Sequence, residues 1–406
     1  MYRGGAVCLK YRKTEDQLSD IFTKALPRSR FELLREKLGL DTWRSVERVS
    51  TVACYPLDNV RQFSDKELRL ATDNYNPKNK IGRGGFGTVY QGTLRDGRRI
   101  AVKTLSVWSK QGVREFLTEI KTLSNVKHSN LVELIGFCIQ GPSRTLVYEH
   151  VENGSLNSAL LGTRNKNMKL EWRKRSAICL GIAKGLAFLH EELSPPIVHR
   201  DIKASNVLLD RDFNPKIGDF GLAKLFPDDV THISTRIAGT TYVFFGNNLC
   251  YIYSYWIRGY LAPEYALGGQ LTKKADIYSF GVLILEIISG RSSARRTNGG
   301  GSHKFLLEWA WQLYEERKLL EFVDQDMEEF PEEEVIRYMK VALFCTQSAA
   351  NRRPLMIQVV DMLSKAIQLN EKELTAPGFF TNEGESSRNN SNPISSIITI
   401  TQVTPR

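Results

Sequence analysis

Two kinds of hydrophobic periodicity follow one another along the middle of the chain. From about residue 63 to residue 369, short β-rich runs come first and long stretches of helical periodicity come later, with no internal repeat. Because each amphipathic element must bury its apolar face against another, this order predicts an α+β fold, in which a small β-rich lobe precedes a larger α-helical lobe. A chain of 406 residues that is 42% hydrophobic can bury such a core.

The two ends of the chain differ from this middle part. Residues 1–60 form an N-terminal extension with scattered charges and one helix-like stretch, 16–38, which Pro27 interrupts. Residues 61–80 are interpreted as a lead-in segment. The tail, residues 370–406, is rich in Ser, Asn and Thr, and we expect it to be disordered because it cannot bury much apolar surface.

Charge and cysteine content restrict the partners and the compartment. The formal net charge of +11 favours phosphate-bearing or acidic partners and is compatible with contact to a membrane surface. The six cysteines lie far apart with no CxxC pair, which argues against a zinc site or a disulfide framework. The sequence shows no signal-peptide pattern, myristoylation motif or apolar run of 18 residues. We therefore expect a cytoplasmic protein, for which peripheral contact with the plasma membrane stays open.

A glycine-rich segment, 81–89, holds the pattern GxGxxG at Gly82, Gly84 and Gly87. Glycines allow backbone N–H groups to approach phosphate oxygens closely. The same pattern occurs in dinucleotide-binding folds, where it opens a helix, and in ordinary surface turns. Here strand-like runs at 88–91 and 99–103 follow the glycines, so we expect a hairpin and not a helix.

Lys103 ends the second strand-like run among apolar residues, where an ammonium group is costly unless a carboxylate or phosphate pairs with it. Glu119, in the helical stretch 113–123, is the leading candidate for that partner. Taken alone, such a pair would usually be an ordinary solvated ion pair. The neighbouring motifs favour the functional interpretation.

The segment 199–206, HRDIKASN, gathers three chemically active side chains. Asp201 can accept a hydrogen bond from a hydroxyl group, Lys203 can neutralise charge on a moving phosphoryl group, and Asn206 offers a neutral oxygen ligand to Mg²⁺. Asp219, in the sequence DFG, supplies a second hard oxygen ligand thirteen residues after Asn206. A polar loop with chance acids is the alternative, which the combined spacing disfavours.

Taken together, these motifs resemble the signature set of the protein kinase domain over residues of about 75–366. The set contains GxGxxGxV, a strand lysine, HRDxKxxN, DFG, APE at 262–264 and DIYSFG at 276–281, all in the family's order. The segments 61–75 and 146–156 are similar to plant receptor-like cytoplasmic serine/threonine kinases of the cold-responsive type. The resemblance implies a bilobal protein kinase fold, ATP and Mg²⁺ as cofactors, and protein substrates with Ser or Thr acceptors.

The resemblance also implies a role for each site residue. Asp201 would orient the attacking hydroxyl group, with Lys203 beside it as a second catalytic residue. Lys103, paired with Glu119, would hold the α- and β-phosphates. The Mg²⁺ ligands would be Asn206 and Asp219. The ATP-binding residues would be Ile81, Gly82, Arg83, Gly84, Gly85, Phe86, Gly87, Thr88, Val89, Ala101, Lys103, Glu149, Val151 and Leu208, with Tyr148 at the gatekeeper position.

Further implications of the resemblance concern the activation segment. Arg200 would contact a phosphate group added to that segment, and Glu264 would pair with Arg353. Three residues lie where such phosphorylation sites usually fall: Thr231, Ser234 and Thr235.

The chain departs from the family pattern at 242–258, where seventeen residues separate AGTT from GYLAPE. Seven of the seventeen are aromatic, a composition that fits neither lobe. We interpret this insert as a translated intron. Closing a loop of this length costs only about 2–3 kcal/mol, so we expect it to disturb the substrate groove more than the fold.

A second departure lies near the start of the chain. Residues 14–39 resemble the C-terminal end of copia-type retrotransposon polyproteins, in a piece without the nuclease carboxylates. An ordinary pair of amphipathic helices is the alternative. We assign no catalytic role to residues 1–60 under either interpretation.

Three hypotheses for the function follow from the sequence. The leading one is an active kinase that transfers the γ-phosphoryl group of Mg·ATP to Ser and Thr hydroxyls, including its own, in plant signalling. The second is a nucleotide-binding pseudokinase or scaffold whose insert impairs substrate binding. A nucleic-acid binder, suggested by the charge of +11, is disfavoured because no DNA- or RNA-reading motif accompanies it, so no nucleic-acid partner is expected. An upstream receptor kinase is a candidate partner.

Overall fold

A computed structural model of the chain describes residues 60–377, except for 85–86, 106–109, 142, 162–169, 228–229, 231, 235–258, 294–296 and 300–301. Several predictions from the sequence lie outside the described residues: those on the extension 1–59 with its retrotransposon-like segment, Gly85, Phe86, Thr231, Thr235, the insert 242–258 and the tail from 378 onwards.

Six strands form the sheet of the N-terminal lobe: β1 (Arg61–Gln62), β2 (Lys80–Gly84), β3 (Gly87–Thr93), β4 (Arg99–Leu105), β5 (Leu134–Gln140) and β6 (Ser143–Glu149). Their order in the sheet is β1-β5-β6-β4-β3-β2. Neighbouring strands are antiparallel except for β1, which runs parallel to β5. Two helices accompany this sheet: α1 (Asp65–Ala71) and α2 (Lys110–Leu123).

The glycine-rich segment connects β2 to β3, and β3 pairs in turn with β4. The predicted hairpin is therefore confirmed, and the dinucleotide-binding alternative, which needs a helix after the glycines, is wrong. Gly87 has a structural role that the sequence did not indicate. A Cβ atom at this position would lie 2.0 Å from the carbonyl oxygen of Thr104 in β4, so any larger residue would force the two strands apart.

The lead-in segment is integrated into this lobe. Ser64 caps α1 in a reciprocal arrangement, in which the backbone N–H of Glu67 donates to Ser64 Oγ (3.2 Å) and the backbone N–H of Ser64 donates to Glu67 Oε2 (3.0 Å). Phe63 and Leu68 are buried in one cluster with Val102 of β4. The helix therefore packs onto the sheet through its apolar side, and β1 adds a strand at the β5 edge.

The C-terminal lobe is built from seven helices among the described residues: α3 (Leu156–Leu161), α4 (Trp172–Ala187), α5 (Pro263–Gly268), α6 (Lys273–Ser289), α7 (Leu306–Glu315), α8 (Glu332–Cys345) and α9 (Met356–Ser364). A π-helical turn, Phe188–Glu192, extends α4. Helix α6 is buried at every position from Ala275 to Ser289 and packs against α4, α7 and α8, so it forms the centre of the lobe.

Short strands connect these helices in antiparallel pairs, which are β7 (Ile197–Val198) with β10 (Lys224–Leu225), β8 (Val207–Leu209) with β9 (Pro215–Ile217), β11 (Ile233–Ser234) with β12 (Gln270–Leu271), and β13 (Thr297–Gly299) with β14 (Ser302–Lys304). The predicted α+β architecture, with a β-rich lobe followed by a larger helical lobe, is confirmed. In the parts of the chain that the structure describes, no helix has the length and apolar character to cross a membrane.

Candidate active site

Three charged side chains from separate elements meet where the two lobes join. The ammonium group of Lys103, in β4, donates to Glu119 Oε1 of α2 and to Asp219 Oδ1 after β9, both at 2.7 Å. The side chains of Lys103 and Glu119 are 15% and 0% exposed, whereas that of Asp219 is 48% exposed. The predicted Lys103–Glu119 pair is present, and the ammonium group lies between a buried carboxylate and one that remains open to solvent.

Opposing effects set the ionisation of this cluster. Burial is the largest single effect on the pKa of Lys103 and acts to lower it. The carboxylates of Glu119 and Asp219 together outweigh burial, so the pKa of Lys103 is raised. Burial also disfavours the ionised form of Asp219, yet the adjacent ammonium group holds the pKa of that carboxyl below its usual value. For Glu119, burial raises the pKa against the attraction of Lys103. The cluster therefore holds a permanent positive charge next to an ionised carboxylate.

Tyr148 completes the surroundings of Glu119. Its hydroxyl group donates to Glu119 Oε2, so each oxygen of this buried carboxylate has its own donor. Burial raises the pKa of Tyr148 well above its usual value, which keeps the phenol protonated as a donor. Sequence reasoning placed Tyr148 at the gatekeeper position and missed this hydrogen bond, because nothing in the sequence connects residues that lie 29 positions apart.

The HRDIKASN segment brings its three predicted residues together. Lys203 Nζ donates to Asp201 Oδ2 at 2.7 Å. The side-chain amide of Asn206 donates to the same oxygen at 2.8 Å and to the backbone carbonyl of Asp201, also at 2.8 Å. Asp201 keeps a side chain that is 27% exposed. One of its oxygens is thus fixed by two donors, and the side chain remains partly accessible to a hydrogen-bond donor from outside.

Asp276, at the start of α6, is a site residue that sequence reasoning missed, since it was noted only as the first letter of a motif. Its Oδ2 accepts hydrogen bonds from the backbone N–H of His199 (2.7 Å) and from His190 Nε2 (2.9 Å), and its Oδ1 accepts one from the backbone N–H of Arg200 (2.8 Å). Although burial favours the neutral acid, the His190 hydrogen bond and the nearby imidazoles lower the pKa of Asp276. Arg200 adopts a φ of 71° in this turn, immediately before Asp201, and the hydrogen bond from its backbone N–H to Asp276 stabilises that conformation.

His199 joins this turn to the DFG segment. Its ring Nδ1 accepts a hydrogen bond from the backbone N–H of Asp201 at 3.2 Å, which leaves Nε2 to donate to the carbonyl oxygen of Gly218 at 3.1 Å. The ring of Phe220 contacts the His199 ring edge to face, with centroids 4.7 Å apart. A single buried side chain therefore fixes the positions of both loops relative to each other.

The two predicted magnesium ligands are held close together. The backbone N–H of Gly218, next to Asp219, donates to the backbone carbonyl of Asn206 at 2.8 Å. Within the described residues, no donor reaches the Oδ1 of Asn206 or the Oδ2 of Asp219, so each side chain has an oxygen left for a hard cation. The described residues contain no cluster of three or more His, Cys, Asp or Glu that could hold a metal. This pair fits Mg²⁺, which commonly takes one or two protein oxygens and completes its shell with phosphate and water.

Of the three residues predicted to surround the adenine, two lie in the sheet of the N-terminal lobe. Val89 pairs with Lys103 across β3 and β4, and Ala101 pairs with Tyr148 across β4 and β6. Leu208, in β8 of the other lobe, forms an isolated bridge with Ser155. The strand register thus places Val89 and Ala101 in the same two strands as Lys103.

The segment that connects the lobes holds two more predicted residues. Glu149 ends β6, and its carboxylate accepts hydrogen bonds from Lys216 Nζ and from the backbone N–H of Glu133, both at 2.9 Å. Val151 is 9% exposed. At the other end of the site, Ile81 is 51% exposed at the start of the glycine-rich segment.

Around the activation segment, Arg200 donates to the carbonyl oxygen of Leu222 at 3.1 Å and to the hydroxyl group of Tyr265. Ser234 is the one candidate phosphorylation site within the described residues, and it is exposed in β11, which pairs with β12. Its accessibility is compatible with modification.

The chain that follows the insert is anchored through Tyr260. The hydroxyl group of Tyr260 accepts a hydrogen bond from the backbone N–H of Ala204 at 3.2 Å and contacts the buried carboxylate of Glu286. Its carbonyl oxygen accepts from Ser279 Oγ at 2.7 Å. Tyr260 therefore links the segment after the insert to the HRDIKASN segment and to α6.

A second anchor lies four residues later. The guanidinium group of Arg353 binds Glu264 through two parallel hydrogen bonds of 2.8 Å each, and its side chain is 0% exposed. The pair between Glu264 and Arg353 that the resemblance implied is confirmed.

Comparisons with known proteins agree with this geometry. The family model for protein tyrosine and serine/threonine kinases matches residues 76–363. The chain is 49% identical to cold-responsive protein kinase 1 of Arabidopsis thaliana over 328 aligned residues. The alignment covers 80% of each protein. It is also 52% and 50% identical to two probable LRR receptor-like serine/threonine-protein kinases of the same plant, over 76% and 79% of this chain. The chain spans only 28% and 30% of the length of these two relatives. The predicted bilobal kinase fold is thereby confirmed, and the chain belongs to the protein kinase family as a serine/threonine-protein kinase.

Proposed function

We propose that this chain is catalytically active and transfers the γ-phosphoryl group of Mg·ATP to Ser and Thr hydroxyls of proteins, including its own. The observation that carries the proposal is the ammonium group of Lys103, which lies 2.7 Å from both Glu119 and Asp219. A charge that is already positioned costs no reorganisation when an anion enters the site. The plant relatives support a role in signalling.

Each side chain has a task that its surroundings support. Bound Mg·ATP would supply the electrophilic phosphoryl group. Lys103 would bind the α- and β-phosphates, while Asn206 and Asp219 would hold Mg²⁺ through their uncommitted oxygens. Asp201 would accept a hydrogen bond from the substrate hydroxyl group and align it for attack. Lys203, bonded to Asp201 at 2.7 Å, would stabilise the negative charge of the transferring group.

The alternative is a nucleotide-binding pseudokinase or scaffold. The insert 242–258 supports it, because it interrupts the segment that precedes GYLAPE. The presence of Lys103, Asp201, Asn206 and Asp219 supports the active enzyme instead, because the proposed chemistry depends on these side chains. The two functions differ in phosphoryl transfer and agree in nucleotide binding.

A paired experiment separates them. Thermal stabilisation by Mg·ATP and ³³P transfer, both to casein and to the chain itself, are measured on the full chain, on a variant without residues 242–258, and on Asp201→Asn as a control without the aligning carboxylate. Saturating ligand at about 100 times its Kd should stabilise each folded protein by about 2.7 kcal/mol. We expect transfer by the first two proteins and its loss in Asp201→Asn. Stabilisation of the full chain without transfer would select the pseudokinase.

We further infer that an upstream receptor kinase phosphorylates the activation segment and that the protein acts in the cytoplasm, in peripheral contact with the plasma membrane. The receptor-like relatives support the first point, and the formal charge of +11 supports the second through attraction to anionic lipids. Mapping of phosphorylated residues in protein isolated from plant cells, with and without membrane fractionation, tests both points. Phosphate on none of Thr231, Ser234 and Thr235 would contradict the first.

A further inference from the structure

A groove of about 760 Å³ opens on the helical lobe, outside the active site. It lies between the start of α4 and the segment that leads into α8. Its apolar lining is provided by Leu170, Trp172 and Met327, which are buried, and by Phe330, which is half-buried. The Trp172 indole is fixed by a hydrogen bond from Nε1 to Glu334 Oε2 at 2.9 Å, so this side of the groove is already formed.

The rim of the groove is acidic, although the chain as a whole carries a formal charge of +11. Among the described residues that line the groove, Arg173 is the one cationic residue, and the carboxylates come from Glu171, Asp326, Glu328, Glu329 and Glu334. The residues Glu171, Asp326 and Glu329 are exposed, and within the described residues no cationic group lies within salt-bridge distance of them. At these three positions the rim thus carries negative charge that no described cationic group neutralises.

We propose that this groove binds a Lys- and Arg-rich segment of a protein substrate, which inserts one large apolar side chain towards Phe330. The proposal rests on the proposed kinase function for the identity of the partner as a substrate. Charge complementarity favours a cationic segment, because Glu171, Asp326 and Glu329 have no cationic partner within the part of the chain that the structure describes. The half-buried Phe330 ring offers an apolar and aromatic surface, on which an aromatic side chain or a guanidinium group can pack.

The position of the groove sets the form of the substrate. It lies at the first turn of α4, whereas the HRDIKASN segment follows the other end of that helix. The 16 residues of α4 span about 24 Å at 1.5 Å per residue. An extended chain covers about 3.4 Å per residue, so at least about seven residues must separate the basic segment from the phosphorylated hydroxyl group. The groove would therefore hold a remote segment of the substrate and leave the residues around the acceptor unspecified.

Direct binding tests the groove without any need for catalysis. The probe is a fluorescein-labelled peptide of about eight residues, made of Lys and Arg with one central Trp, and the control peptide has Glu in place of every cation. Binding is measured by fluorescence anisotropy to the wild type, to the double variant Asp326→Lys/Glu329→Lys, and to Glu315→Lys/Glu321→Lys. The last variant makes the same change of charge at exposed positions outside the groove.

We expect the cationic peptide to bind the wild type and the acidic peptide not to bind. The groove variant should raise the Kd at least about tenfold, and Glu315→Lys/Glu321→Lys less than about twofold, after melting curves show that both are folded. Phe330→Ala should weaken binding without changing its dependence on salt. Equal weakening by both double variants would overturn the proposal, because binding would then follow the net charge of the protein and not this groove.

A kinetic measurement tests the role in substrate recruitment. One Ser-containing peptide carries the basic segment about twelve residues from its Ser, and another lacks it. In the wild type the basic segment should lower KM about tenfold and leave kcat unchanged, and this difference should vanish in Asp326→Lys/Glu329→Lys. Equal KM values for the two peptides in the wild type would refute recruitment. If neither peptide is phosphorylated, the proposed kinase function fails, while the anisotropy result still decides whether the groove binds.

Discussion

Tyr148→Phe tests how the buried carboxylate of Glu119 is maintained. The substitution removes one oxygen atom and keeps the aromatic ring, so the packing of the ring within the sheet should persist. The hydrogen bond from the Tyr148 hydroxyl group to Glu119 Oε2 is lost, and the bond from Lys103 to Oε1 at 2.7 Å remains. Because the side chain of Glu119 is 0% exposed, water has little access to the oxygen that loses its donor.

The expected magnitude follows from that burial. A buried acceptor left without a donor costs about 1–3 kcal/mol of folding free energy. For a domain of this size, 1 kcal/mol corresponds to a change of about 2 °C in Tm, so Tyr148→Phe should melt about 2–6 °C below the wild type. A carboxylate held by one donor also orients Lys103 less firmly, and we expect the KM for ATP to rise while the acceptor KM stays unchanged.

Tyr314→Phe is the matched control. The Tyr314 hydroxyl group also donates to a glutamate, Glu371 Oε2 at 3.0 Å, but at the surface, where water can replace it. The same chemical change should therefore cost less than about 0.5 kcal/mol there. Differential scanning fluorimetry and ATP titrations at constant peptide concentration measure both variants. If Tyr148→Phe and Tyr314→Phe lower Tm equally, the argument that burial gives the Tyr148 hydrogen bond its importance is refuted.

Three other substitutions test the scaffold of the site. Gly87→Ala should lower folded yield and Tm, because its Cβ would lie 2.0 Å from the carbonyl oxygen of Thr104; unchanged melting would contradict this. Arg353→Lys should cost at least about 2 kcal/mol in urea unfolding, since an ammonium group cannot form both 2.8 Å bonds to Glu264. Although burial acts in the opposite direction, the pKa of Asp276 is lowered by its hydrogen-bond partners. The contribution of the Asp276 carboxylate to folding stability is therefore lost as the pH falls through that lowered pKa. Asp276→Asn should therefore flatten the loss of stability in acid.

The sequence predicts those parts of the site in which a residue and its neighbours along the chain already imply the interaction that the residue needs. Lys103 in an apolar strand needs a counter-charge, and the spacing to Glu119 on a helix makes that residue available. The hairpin after the glycines follows from local patterns of strand and turn residues. In both cases the physical reason is visible within about twenty residues of chain.

The remainder depends on contacts that only the folded chain brings together. Asp276 accepts hydrogen bonds from backbone groups 76 and 77 positions earlier, and backbone groups are the same in every sequence. The hydroxyl groups of Tyr148 and Tyr260 each bind one buried glutamate, and the sequence does not indicate which of the many acidic residues that is. Likewise, Gly87 is required because of the carbonyl oxygen of another strand, a reason that its motif does not indicate. Periodicity and composition contain no information on such partners.

These partners also bear on the seventeen-residue insert. Closing a loop of this length costs about 2.5 kcal/mol of chain entropy. The chain after the insert is held by the hydrogen bonds of Tyr260 with Ala204 and Ser279. It is also held by the two hydrogen bonds from Arg353 to Glu264. Buried hydrogen bonds contribute about 1 kcal/mol each, and those to charged groups about 1.5–3 kcal/mol, so these anchors together exceed the cost of closure. The residues proposed to bind Mg·ATP lie on other segments of the chain. Any defect caused by the insert should consequently appear in the KM for the protein substrate, while the affinity for Mg·ATP stays the same with and without residues 242–258.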